Sequence, residues 1–102
     1  MRAEEIERRL RKYLERDRTG VRKSLIKLLI EGRKYTTGEI HEMLKDQGFE
    51  LNPRGVSAMV GLMSARLGIL KVEMGEKNRY CLKSEYLDLV KNVLMEYDSK
   101  NL

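Results

Sequence analysis

Residues 52–70 read NPRGVSAMVGLMSARLGIL. Asn52 is a good helix N-cap, and Pro53 suits the first helical position, where its missing N–H costs nothing. Val56, Val60, Met63 and Leu67 recur at helical spacing with Met59 beside them, which marks one buried face over 53–67. Gly68 ends the helix. A rotation of about 100° per residue puts Ala58, Gly61, Leu62 and Ala65 on the opposite side, flanked by Ser57 and Ser64. Specific base readout ordinarily uses Arg on guanine, or Asn and Gln on adenine. That side carries none of them. Arg54 sits on the first turn, and Arg66 lies near the end toward the buried side.

Working outward, residues 36–48 carry the capping box Thr36-x-x-Glu39, with Ile40, Met43 and Leu44 facing inward and Gly48 closing the helix. His41 falls on the exposed side. Upstream, residues 3–18 form a charged N-terminal helix with a narrow apolar stripe of Ala3, Ile6, Leu10, Tyr13 and Leu14. Thr19 is placed to cap the next helix, whose buried face is Val21, Leu25, Leu28 and Leu29 and which Gly32 ends. Downstream, ILKVEM and NRYCLK alternate with period two around a GEK turn, which predicts a hairpin. Leu70, Val72, Met74, Tyr80 and Leu82 face one way; Lys71, Glu73, Arg79, Cys81 and Lys83 face the other. Ser84 is expected to cap a last helix over 84–98 with a broad apolar face.

This order resembles a winged helix-turn-helix domain of the archaeal and bacterial transcription-regulator type. YTTGEIHEMLKDQG resembles the first helix of the turn motif and VSAMVGLMSARLGIL the second. Gly68-Ile69-Leu70 resembles the step into the wing, and NRYCLK the Arg-x-Tyr-x-Leu wing strand. The chain is also similar to a small, functionally uncharacterised archaeal family of winged-helix proteins. One departure stands out: Val56 and Gly68 lie one residue further apart than the family spacing, which predicts a rotated wing or an extended helix end. The expected fold is therefore mainly α (α+β): a single winged-helix domain over 1–102, with an N-terminal helix at 3–18, the core at 19–83 including a two-stranded wing, and a C-terminal helix at 84–98.

Composition bounds the chemistry. A chain of 102 residues has room for one domain. A lone Cys81 and a lone His41 exclude an internal disulfide and a Cys/His zinc cluster, and no nucleophile–base motif is present. No catalytic residue, metal or cofactor is expected. The longest apolar run, LIKLLI at 25–30, is too short to cross a bilayer, and the N-terminus is charged where a signal peptide would be apolar, so a cytoplasmic protein is expected.

The net charge of +5 favours a polyanionic partner. Residues 21–33 carry net +3 and residues 69–83 net +2, against +1 for the 49–68 segment, so the positive excess gathers beside the small-faced helix. What the resemblance implies is double-stranded DNA binding, with that helix in the major groove and the hairpin beside the duplex. The candidate contacts are Arg33, Lys34, Arg54, Ser57, Ala58, Ser64, Lys77 and Arg79, within a wider set that includes Arg22, Lys23, Lys71 and Lys83. The alternative is a protein partner docked on Ala58, Gly61, Leu62 and Ala65, whose size permits close backbone approach. Tyr86, Val90, Val93 and Tyr97 have the spacing of a packing seam, which is expected to serve a homodimer, the alternative being packing on the first helices.

Overall fold

Two of the four helix starts that the sequence marks are capped as expected. Thr36 Oγ1 accepts from Glu39 N at 3.1 Å while Thr36 N donates to Glu39 Oε1 at 2.9 Å, which completes the capping box. Asn52 Oδ1 accepts from Gly55 N at 2.7 Å. The other two differ. Thr19 Oγ1 reaches only Val21 N, and Gly20 occupies the N-cap position in a left-handed conformation. That bend folds the chain back, so the Asp17 carboxylate accepts from Arg22 N and Lys23 N at 3.2 and 3.1 Å. Ser84 makes no cap either. It lies inside a single 3-10 turn, Ser84–Tyr86, whose cap position is held by Lys83.

The computed structural model describes residues 3–100, apart from the side chain of Lys100. Its elements are α1 (Ala3–Glu15), α2 (Val21–Ile30), α3 (Thr37–Asp46), α4 (Pro53–Leu62), β1 (Leu70–Glu73), β2 (Arg79–Leu82) and α5 (Leu87–Lys100). Between α4 and β1 the chain continues as a π-helical turn, Met63–Leu67, which Gly68 closes at a φ of 67°. The extra residue in the Val56–Gly68 spacing is thus absorbed as a wider turn at the helix end. Val56, Val60, Met63 and Leu67 all stay buried.

The result is a mainly helical α+β domain with a two-stranded antiparallel hairpin before the last helix. The register pairs Leu70 with Leu82, Lys71 with Cys81, Val72 with Tyr80 and Glu73 with Arg79, as the alternation requires. Met74 falls beyond β1 and is largely exposed. A third extended piece joins the hairpin: Tyr35 N donates to Tyr80 O at 2.9 Å and Tyr80 N to Tyr35 O at 2.7 Å.

α5 packs on α1 and α2, α3 on α4 and α2, and β2 on α2. The core they enclose runs from Ile6, Leu10 and Leu14 through Leu25, Ile26 and Leu29 to Ile40, Leu44, Ile69 and Val90. Among the described residues no charged side chain is buried there. Each such aliphatic side chain contributes about 1.5–3 kcal/mol on full burial. Ile26 and Tyr35 are core residues beyond the expected faces, because α2 is enclosed from several sides and Tyr35 lies under the hairpin. Val90 and Val93 are buried within the single chain, with Tyr86 and Tyr97 half-buried at the edges. Val90 and Val93 of the α5 seam therefore pack toward α1 and α2.

Among the described residues no helix is long and apolar enough to cross a membrane, and no group of three or more His, Cys, Asp or Glu stands together as a metal site.

Candidate nucleic-acid interface

α4 and the π-helical turn leave Ser57, Ala58, Gly61 and Ala65 exposed, with Leu62 and Ser64 half-buried. A Cβ added at Gly61 meets nothing within 4 Å, so among the described residues nothing covers the face at that position. Arg54 projects from the first turn, free of ion pairs among the described residues.

At the N-terminal end of α4 three elements converge. Ser57, the start of α3 at Thr36, Thr37 and Gly38, and the hairpin residues Lys77, Asn78 and Tyr80 line one open cleft. The two backbone hydrogen bonds between Tyr35 and Tyr80 hold the hairpin there, because Tyr35 immediately precedes the cap of α3. Lys77 and Arg79 are both exposed and border a neighbouring groove that Thr36, Glu73 and Glu76 also line. Their proximity to α3 has an electrostatic trace. The Glu39 carboxyl lies below its ordinary range, first because Thr36 N and then the Thr36 hydroxyl donate to it, with lesser help from the charges of Arg79 and Lys77.

The remaining candidates are placed differently. Arg33 is exposed on the loop between α2 and α3. Lys34 is ion-paired with Glu73, an interaction that holds the lysine above and the carboxylate below their ordinary values. Three cations of the wider set are engaged inside the chain. Arg22 donates to Tyr13 O at 2.9 Å and stacks 4.4 Å from the centre of the Tyr13 ring. Lys23 pairs with Asp98 of α5, and Lys83 lies 5.9 Å from the Tyr86 ring centre. These contacts leave Arg33, Arg54, Lys71, Lys77 and Arg79 as the cations least committed elsewhere among the described residues. His41 is not the surface residue that its helix position suggested. It is half-buried, with Nε2 2.7 Å from Leu51 O, where a neutral or charged ring donates and ties α3 to the loop before α4.

Thr37 and Asn78 were not singled out in the sequence. The capping box marks the start of α3, where unpaired N–H groups are expected, and the GEKN turn marks the hairpin tip. No local pattern says that the two meet, because their contact depends on the Tyr35–Tyr80 bridge.

Together these features define a small helical α+β domain in which an exposed, small-faced helix stands beside a basic hairpin. Residues 10–90 match the model of a family described as "Protein of unknown function (DUF2551)", and the chain belongs to that family. It is 63% identical over 94 residues to an uncharacterized protein of the archaeon Archaeoglobus fulgidus, an alignment covering 92% of this chain and 97% of that one. No solved structure matches it.

Proposed function

We propose that this chain is a winged helix-turn-helix protein that binds double-stranded DNA and acts in transcription. α4 enters the major groove and the β1–β2 hairpin serves as the wing. The observation that carries this reading is the single cleft lined by Ser57 of α4 and by Lys77 and Asn78 of the hairpin. A duplex lying along that cleft meets α4, the start of α3 and the hairpin at once. Lys77, Arg79 and Arg54 then contact phosphates, which fix position and supply affinity but carry no base sequence. With only Ser and small residues on the exposed face of α4, sequence preference comes from close groove contact and DNA shape rather than from bidentate hydrogen bonds.

The test is duplex affinity at two salt concentrations for the full chain and for Lys77→Ala/Arg79→Ala. Each lost phosphate contact reduces the slope of log affinity against log salt by roughly one. Lack of any association at low ionic strength overturns the proposal.

A second reading rests on the openness of the same helix face. Ala58, Gly61, Leu62 and Ala65 then dock a protein, against which the absent side chains permit close helix packing. Under that reading Ala58→Glu abolishes a protein complex and leaves duplex affinity intact.

A further inference from the structure

We propose that a second cleft, between α1, the start of α2 and the π-helical turn, binds a small molecule bearing at least two phosphate groups, of the nucleoside diphosphate class. The cleft is about 500 Å3, within the usual range for a small-ligand site. It lies toward the C-terminal end of α4, away from Ser57 and the hairpin tip, and its argument does not depend on DNA binding.

Five cations line it: Arg9, Lys12, Arg16, Arg22 and Arg66. No acid does. None of the five has an ion-pair partner among the described residues, whereas Arg11, Lys23 and Lys34 of the same chain all have one. Arg9, Lys12 and Arg16 share one side of α1 by spacing, distinct from the Ile6–Leu10–Leu14 stripe in the core. Two of the guanidinium groups are held in place: Arg9 donates to Arg66 O at 2.9 Å, and Arg22 to Tyr13 O at 2.9 Å. Like charges gathered this closely repel one another, and a multiply charged anion relieves that repulsion. The nearby Asp17 carboxylate is engaged by the amides of Arg22 and Lys23.

An independent observation comes from Tyr13. Its side chain lines the cleft at 5% exposure, and its hydroxyl is buried with no hydrogen-bond partner among the described residues. Buried polar groups are ordinarily paired; this hydroxyl is closed to solvent, so a ligand group pairs with it once the wall of the basic cleft shifts to admit one. Leu62, Ala65 and Leu67 give the cleft an apolar side, suited to the non-phosphate part of such a molecule. The concave shape favours a small ligand over the convex backbone of a duplex.

Calorimetric titration of the full chain with ADP, adenosine and inorganic pyrophosphate tests the proposal, alongside duplex binding. ADP is expected to saturate one site per chain, pyrophosphate to compete for it, and adenosine alone to bind far more weakly. Lys12→Glu/Arg16→Glu, at two exposed positions, is expected to weaken ADP by about tenfold to a hundredfold, the loss for removing charge-assisted contacts. Tyr13→Phe, which retains the ring, should weaken it several-fold. Lys77→Ala/Arg79→Ala should weaken the duplex and leave ADP binding unchanged, so the two proposals fail separately. The proposal is overturned if neither ADP nor pyrophosphate binds, if binding ignores Lys12→Glu/Arg16→Glu, or if that variant loses only duplex affinity.

Discussion

Lys34, in the loop before α3, and Glu73, at the end of β1, form an ion pair between residues 39 positions apart. The pair pins the hairpin to the helical part of the domain on the side where Lys77 and Arg79 project. It also places an anion among the cations that the DNA reading assigns to phosphates. Glu73→Gln should therefore free Lys34 and remove one negative charge at a stroke. Duplex affinity is expected to rise several-fold at low salt, and the salt dependence to steepen by about one unit of slope. Thermal stability should scarcely change, because an exposed pair contributes little. Fluorescence anisotropy with a labelled duplex across a salt series reads both effects. Unchanged or weaker binding would count against a duplex lying along this side of the hairpin.

Gly61 presents a second test. It sits in the interior of α4 with helical backbone geometry, and an added Cβ meets nothing within 4 Å. Glycine there destabilises a helix by about 0.5–1 kcal/mol relative to alanine. Gly61→Ala is thus expected to stabilise the isolated domain by that amount in urea denaturation. Nothing among the described residues requires the glycine. Both proposed readings of the α4 face use the glycine for close approach of a partner, so under either one Gly61→Ala should weaken the partner that lies against α4. A stabilised variant with full duplex affinity would move that partner from DNA to protein.

The sequence makes the helices legible because their signals are local. The box of Thr36 and Glu39, Asn52 before Pro53, and the four-residue apolar rhythm of Val56, Val60 and Met63 each act within a turn or two. The strand register follows from alternation alone, since a slip by one would turn Leu70 and Leu82 outward. Even the π-helical turn leaves a trace, as one residue too many before Gly68, although spacing does not say where that residue is absorbed.

What the sequence hides depends on contacts between distant segments. Lys34 reads as a free cation until Glu73 is brought to it, and His41 as a surface residue until the Leu51 carbonyl is brought to its ring. Tyr13 belongs to the expected core stripe, and that spacing does not show that its hydroxyl is left without a partner among the described residues. The same holds for the five cations of the second cleft. They come from α1, the start of α2 and the π-helical turn, and no window of sequence contains them all.

Asp17 shows how a neighbouring residue displaced the expected cap. Thr19 has the right chemistry, but with Gly20 in a left-handed conformation the second and third amides of α2, those of Arg22 and Lys23, point to Asp17. Asp17→Ala is expected to destabilise the domain by about 1 kcal/mol, with 2 kcal/mol as the upper range for a lost cap. Thr19→Ala should cost only a few tenths of that unit, since its hydroxyl accepts a single long bond from Val21 N. Urea midpoints of the two variants decide the matter. Equal losses would return the capping role to Thr19.

Tyr13 ties stability to alkaline pH. Burial, the largest influence, pushes its phenol up from 10.0 to about 12, with the charge of Arg22 opposing and that of Asp17 adding slightly. In the unfolded chain the same group ionises near 10. Between these values the unfolded chain sheds its proton while the folded chain retains it, so rising pH favours unfolding. The stability in question is complete below pH 10 and is lost as pH climbs through the folded value, a change on the order of 2 kcal/mol. Tyr13→Phe removes this component and keeps both contacts of Arg22, which use the ring and the backbone carbonyl. At neutral pH the variant should be more stable by roughly 0.5–1 kcal/mol, because an unpaired buried hydroxyl is gone. Its advantage over the natural sequence should widen steadily as the pH of urea titrations is raised above about 10. A gap that stays constant across that range would mean that the phenol is solvated in the folded chain, and with it the argument for an unfilled hydrogen bond in the second cleft would fall.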